Sequence, residues 1–441
     1  MRVPAPSAPI DTAALPPAMP YRPGPRGLLA HMSWIDVAML FAWVMSTTMP
    51  FGWAAPLRYL AAAYFAGSMI IFARQTMPAT WRAWPTFIIP ILCVVSALWA
   101  PSSSEAIRKG LLFALTAMVA IYAASRLSGR QILIVFLFGE TIAALLTIVQ
   151  PNIVNGAWTG IFGQKNFLAV HMFIMFTCAM AVGLDKSTNG WMRLYGLAMV
   201  PVAMLVIIMA KSATTTLLLI GAGAALLGHA LFWNAASRIR HMRTLLALVM
   251  IVFMVSVVLI LFGLMQFDAE GSLLEALGKD STLTGRTYLW AAAERVMADH
   301  PLTGVGADGF WRANLGAANS ITEYFFYERF TKFSFHNSYL ENGVAFGYPG
   351  YWATVFLACW ALWRTGMNWI RNQTIINAAF LVMAIMIIVR SNAEIDLALE
   401  FAGTAVLLFI GAVRSEKRVK APIIYRTAPM PPPHAAQRAT P

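Results

Sequence analysis

Charge is what this sequence has least of. Aspartate, glutamate, lysine and arginine make up 12% of its 441 residues, and apolar residues make up 59%; a soluble domain carries about a quarter of its residues charged. Any folded surface leaves a large area facing water, and so apolar a chain has too little polar surface to cover one. A water-soluble fold is excluded. Cysteine is nearly as scarce: Cys93, Cys178 and Cys359 all lie in apolar runs, which excludes a disulfide framework and a cysteine metal site. The short hydrophilic segments contain no glycine-rich phosphate loop and no cluster of carboxylates, so kinases, ATPases and nucleotide-sugar transferases are excluded as well. Acids are fewer than bases, 19 against 32, for a net charge of +13. The basic residues are spread over many short loops instead of forming one patch, which argues against a nucleic-acid partner.

What is present is a succession of long uncharged runs, each near the roughly 20 residues that cross a bilayer as a helix. Twelve spans are expected near 33–49, 57–73, 85–99, 110–125, 131–149, 166–184, 194–210, 213–233, 244–265, 341–363, 376–390 and 397–413. The fold class is therefore all-α, a polytopic transmembrane bundle, with residues 1–32 and 414–441 as disordered tails. The first thirty residues are rich in proline and alanine and lack the apolar core of a cleavable signal. Lysine and arginine in the connecting segments set the orientation. With both termini cytoplasmic, twenty of them fall inside, and six (Arg58, Arg108, Lys109, Lys165, Lys211, Arg390) fall in the short outer loops. The expected location is a bacterial inner membrane.

The same orientation puts the one long connection, 266–340, outside the cell membrane between spans 1–9 (33–265) and spans 10–12 (341–413). A loop of that length is expected to fold into a small helical cap with a function of its own. Thr284–Ala298 reads as a helix with Thr284 as N-cap, after which Pro301, Gly304, Gly306 and Gly309 enforce a turn. No nucleotide pool exists on that face, so a group-transfer reaction there requires a donor already carried across, typically on a lipid.

The loop contains GRTYLW (Gly285–Trp290), HPLTGVGADGFW (His300–Trp311) and FHNSYLENGVAFGYPG (Phe335–Gly350), and upstream lie LWAPSSSEAIRKG (Leu98–Gly110) and GIFGQKNFLA (Gly160–Ala169). In this order the segments resemble the O-antigen ligase and polysaccharide polymerase family of bacterial membrane proteins, and the GQKN segment looks closest to the exopolysaccharide polymerase branch. The resemblance implies transfer of a glycan from undecaprenyl diphosphate to an acceptor hydroxyl, either a glycan chain or a lipid A core, with no metal and no other cofactor. Membrane lipids and other polysaccharide assembly and export proteins are the expected partners. It also implies two catalytic residues: the family's loop arginine falls on Arg286 and its histidine on His336. A further basic residue of the family follows a serine near the start of the eighth span; here Ala213 follows Ser212 and Lys211 stands before it. Two positions apart share a face in an extended segment but point about 200° apart in a helix.

The chemistry agrees with these residue types. A lipid diphosphate is already a stable leaving group and needs cations to hold it as charge builds. The guanidinium fork does this well, and such preorganised charge is commonly the largest catalytic contribution. Arg286 is the first candidate, with Lys165 and Lys211 in support where outer loops meet helices; snorkelling to the interface is their ordinary role. The acceptor hydroxyl needs a base titrating near neutrality, which suits histidine. Of seven histidines only His300 and His336 fall in the loop. His300 precedes Pro301 at a helix end, a capping position, which leaves His336, with Asn337 beside it as a candidate substrate contact. His171 and Glu140 lie within spans, the latter costly as a charge in lipid. Arg390, Glu394 and Asp396 cluster in the last outer loop, as substrate contacts, as an anchor for the base or as a local salt-bridge group. The aromatic stretch Glu323–Phe335 is expected to pack the cap. A twelve-span transporter is the rival reading, but that type places its long loop between spans six and seven, and here the loop follows span nine.

Overall fold

The computed structural model describes residues 28–236, 238–266, 284–312, 316–325 and 333–414. It is an all-α membrane bundle. The helices are α1 (Leu28–Thr48), α2 (Ala54–Ile71), α3 (Ala73–Arg82), α4 (Ile88–Ser96), α5 (Ser103–Arg126), α6 (Gly129–Val149), α7 (Lys165–Leu184), α8 (Gly190–Met209), α9 (Ala213–Ala236) and α10 (Met242–Gln266). Then come the cap helices α11 (Thr284–Asp299), α12 (Gly309–Arg312) and α13 (Gly316–Tyr324), and finally α14 (Ser338–Arg371), α15 (Ile375–Arg390) and α16 (Gly403–Val413). Each of the twelve expected spans falls on one of them. Six helices of the described chain (α2 and α5–α9) are long and apolar enough to cross a membrane unaided, and α1, α10, α15 and α16 are shorter apolar helices.

One stretch expected to be a loop is helical. Residues 73–82 form α3, which meets the following apolar segment, Trp84–Ser96, at 82°. The break falls at Ala83, just before Trp84-Pro85, where proline lacks the N–H that would continue the ladder of the preceding helix. The connection 150–164 is also structured: Ile153–Val154 and Ala157–Trp158 form a two-stranded antiparallel hairpin, turned by Asn155-Gly156, both with positive φ.

Polar residues at span ends punctuate the bundle. Ser102 caps α5, Ser128 and Gln131 form a capping box on α6, Asn189 caps α8, and Thr374 caps α15, each side chain accepting from an otherwise orphaned N–H. α7 is apolar on every face and lies deepest, with 83% of its span buried, packed by α6, α8, α9 and α15. A helix hydrophobic all round belongs at the centre of a bundle. At one end α1, α2 and α5 are tied by Asp36, which is fully buried. Its Oδ1 accepts from the Tyr64 and Tyr122 hydroxyls, both at 2.8 Å, and its Oδ2 faces Arg126 Nε at 3.3 Å. Such an acid is tolerated in lipid only with its partners supplied.

The cap is joined to the bundle by main-chain bonds. α14 is interrupted at Gly347, whose φ of 69° is open to glycine. The interruption frees the Val344 and Ala345 carbonyls, which accept from Val305 and Gly306 N–H at 2.9 Å each, while Tyr348 N–H donates to Pro301 O at 2.8 Å. A Cβ on Gly347 would lie 2.4 Å from Pro301 O, and one on Gly304 the same distance from the Ala345 carbonyl carbon. The proline and glycines after α11 therefore form a turn, as their sequence requires, and that turn is shaped to seat on a broken helix. Within the cap, Phe310, Trp311, Phe333 and Phe335 pack edge to face and tilted, so the described part of the aromatic stretch packs the cap; 326–332 lie outside the described residues.

Candidate active site

Between α15 and α16 the chain makes turns over 391–402, and the first residue of α14 holds them. Ser338 N–H donates to the carbonyls of Ser391 (2.8 Å) and Glu394 (3.1 Å). The Ser338 hydroxyl donates to Glu394 O at 2.9 Å and accepts from Leu397 N–H. His336, two residues before α14, has φ of 49°, a left-handed conformation that a non-glycine residue holds only when its surroundings impose it, as at functional sites. Here those surroundings are the pinned loop and the cap, whose Trp290 indole donates to Phe335 O at 3.0 Å.

Glu394 is where these pieces converge. Its carboxylate, 8% exposed, has Arg286 Nη2 at 3.3 Å from Oε1 and His336 Nδ1 at 3.4 Å from Oε2. Asn166 at the start of α7 donates its amide to Oε1 at 2.9 Å. Burial alone pushes this carboxyl up. The His336 hydrogen bond and the charges of Arg390, His336 and Arg286 outweigh it and hold the group below the usual glutamate value, so it is an anion. Arg390 grips Asp396 at 2.8 and 3.4 Å and also donates to Asn166 O at 3.3 Å. Arg286 on α11, His336 before α14, Arg390 and Glu394 after α15 and Asn166 on α7 thus form one connected group. With Nδ1 on a carboxylate, His336 keeps Nε2 for a substrate, the arrangement of a base and its orienting acid.

The other expected residues are placed differently. Asn337 is the N-cap of α14, its Oδ1 accepting from Tyr339 and Leu340 N–H at 3.0 and 3.1 Å, so that oxygen is occupied; asparagine at a helix start is a preferred cap. Lys165, beside Asn166, opens α7 and is exposed. Lys211 is neither extended nor helical: it occupies the turn between α8 and α9 with φ of 50°, exposed, its Nζ against the Gly156 hairpin tip. Neither lysine has an ion-pair partner among the described residues, whereas Arg286 and Arg390 each face a carboxylate. Glu140 and His171 pair with each other at 3.0 Å, with Phe162 stacked on the imidazole at 4.5 Å.

Asp396 has a second face. It lines a cavity of about 530 Å³ with Arg58, Tyr59, Arg108, His171 and Glu400. Among the described residues no three histidines, cysteines or carboxylates are grouped as a metal would need.

Residues 197–355 match the O-antigen ligase family. The chain is 28% identical over 274 residues to the exopolysaccharide production protein ExoQ of Rhizobium meliloti (strain 1021), a match covering 60% of this chain and 61% of that protein. Both similarities point to the O-antigen ligase and polysaccharide polymerase proteins, and the chain spans about three-fifths of the length of the relative it matches. The matched family segment contains Lys211, Arg286 and His336; Asn166, Arg390 and Glu394 lie outside it. Asn166 stands inside GQKN, where the neighbouring lysine is the more obvious partner for phosphate and nothing in the sequence marks the asparagine. Its role is to link α7 to both Glu394 and Arg390.

Proposed function

We propose that the chain is a glycosyltransferase of the outer face of the inner membrane that polymerises undecaprenyl-diphosphate-linked oligosaccharide repeats into surface polysaccharide. The observation that carries this reading is Glu394, shared between Arg286 and His336. It puts a guanidinium fork and a histidine with a free Nε2 on the same anchor, as a diphosphate grip and a base require. Arg286, with Lys165 and Lys211, holds the donor's diphosphate. His336 Nε2 takes the proton of the acceptor hydroxyl as its oxygen bonds to the anomeric carbon. The bond from that carbon to the diphosphate oxygen breaks, undecaprenyl diphosphate leaves with the electron pair, and one displacement inverts the centre. Three cations and a base suffice for a leaving group already this stable, so metal is dispensable and turnover continues in excess EDTA. Glu394 and Asn166 position the pair, and Arg390 with Asp396 holds the loop that carries them.

A second reading, transfer to a lipid A core, has the description of the matched family in its favour; similarity to an exopolysaccharide production protein favours polymerisation. Both use the same donor chemistry and differ in acceptor. Glycan profiling of a deletion strain separates them. Loss of long exopolysaccharide supports polymerisation, and accumulation of unglycosylated lipid A core with exopolysaccharide intact overturns it.

A further inference from the structure

The cavity beside Asp396 contains polar groups that the fold leaves unused. Glu400 makes no hydrogen bond and no ion pair among the described residues, though it lines the cavity part-buried. Arg58 donates Nε and Nη2 to Ser46 O at 3.2 and 2.7 Å, which leaves Nη1 unpartnered. His171 gives Nδ1 to Glu140, which leaves Nε2 on the opposite edge of its ring. A carboxylate, a guanidinium nitrogen and an imidazole nitrogen thus line one space without a hydrogen-bond partner among the described residues, part-buried and open to a ligand seated there.

We infer that this cavity is the subsite for the sugar chain of the acceptor. The inference rests on the reading of the chain as a glycosyltransferase and adds where the second substrate lies. Sugar hydroxyls donate and accept at once, so they suit a lining in which acceptors (Glu400, Asp396) alternate with donors (Arg58, Arg108). A lipid diphosphate, which carries acceptors only, bonds to Arg58 and Arg108 but leaves the Glu400 carboxylate without a donor. Tyr59, edge-on to Phe401 at 6.0 Å, and Phe162, stacked on His171, offer the flat apolar surface that the C–H face of a sugar ring covers. The volume lies in the range of small-molecule pockets, about 300–1,000 Å³. Position supports the assignment: Asp396 lines the cavity while gripping Arg390, which reaches Asn166 O, and the Asn166 amide reaches Glu394. A glycan seated here lies next to the group that carries His336.

Donor and acceptor are told apart by using a lipid-free acceptor. The strain's repeat oligosaccharide is released from its lipid, reduced and fluorescently labelled at the reducing end, so that it has no leaving group and serves only as acceptor. The full-length protein in nanodiscs elongates it with unlabelled lipid-linked repeat. Glu400→Gln keeps the shape and removes the charge; KM for the labelled acceptor rises about tenfold, while kcat and KM for the lipid-linked donor stay within about twofold. Ala402→Phe fills the same cavity from another position and does the same, which covers the case in which Glu400→Gln fails to fold. Unchanged acceptor KM in a folded variant overturns the inference, and so does a rise in donor KM alone or displacement of the labelled oligosaccharide by undecaprenyl diphosphate. Wild-type protein that elongates nothing refutes the proposed function instead, whereas wild type that polymerises with an acceptor KM indifferent to both substitutions refutes only the subsite.

Discussion

Replacing Glu394 by glutamine removes one negative charge from between two cations while keeping the side chain's shape and its bond from Asn166. A hydrogen bond to a charged group contributes about 1.5–3 kcal/mol. Those to Arg286 and His336 are long, 3.3 and 3.4 Å, and the two side chains keep 23% and 26% exposure, which puts each near the low end. Losing both amounts to roughly 3 kcal/mol, or about 10²-fold in rate at about 1.4 kcal/mol per decade. That is less than the ~10⁴-fold loss when the orienting carboxylate of a serine-protease triad is neutralised, as looser geometry requires. The assay is polymer ladder formation from lipid-linked repeat by purified protein in nanodiscs. A second readout isolates the charge. The folded pKa of Glu394 lies below the unfolded one, so the pairing stabilises fully above the ordinary glutamate range and is lost as pH falls through the lowered value. The Tm difference between wild type and Glu394→Gln therefore shrinks in acid. A folded variant that keeps its rate within threefold refutes the role given to Glu394.

Arg286→Lys keeps the charge but loses the fork, and turnover falls tenfold or more in the same assay; equal turnover removes Arg286 from the diphosphate site. His336→Ala lowers turnover about 10²–10⁴-fold with donor binding largely kept, the range for a lost general base, and normal polymer from a folded, membrane-inserted variant refutes it. In a cysteine-free background, Ser320→Cys on the cap reacts with an impermeant thiol reagent in spheroplasts and Lys186→Cys between α7 and α8 does not; the reverse pattern overturns the orientation. Ser281 and Ser237, natural choices from sequence for the same labelling test, lie outside the described residues.

The bundle was legible because twenty-residue apolar runs have few other uses, and each expected span meets a helix. The departures occur where a single residue overrides the pattern. Pro85 bends the third span away from a helix that reads as loop, and Gly347, with Pro349 two residues on, breaks α14 inside the expected tenth span. Arg286 and His336 stand out in the sequence through the motifs of the family it resembles, whereas what joins them does not: Glu394 reads as one acid in a mixed cluster, and only the fold of 391–402 over Ser338 turns it toward the cap. Asn337 reads as a substrate contact because it neighbours His336, although its position one residue before α14 is itself the mark of a cap. Likewise Glu140 and His171, on separate helices, carry no sequence sign that they pair.

Three of the bonds between cap and bundle join carbonyl and N–H groups alone: Val305 to Val344, Gly306 to Ala345, Tyr348 to Pro301. Backbone groups are the same whatever side chain follows them. These three bonds read no side chain beyond the glycines that let the segments approach; Arg286 and Trp311 add side-chain bonds to Glu394 and Glu341, and replacement is tolerated on the rest of that surface. Enzymes that handle sugars of great variety need a part that can be rewritten without coming loose, and a main-chain hinge plate of this kind meets that need. New specificities can therefore be grafted by exchanging cap side chains while Gly304 and Gly347 stay fixed.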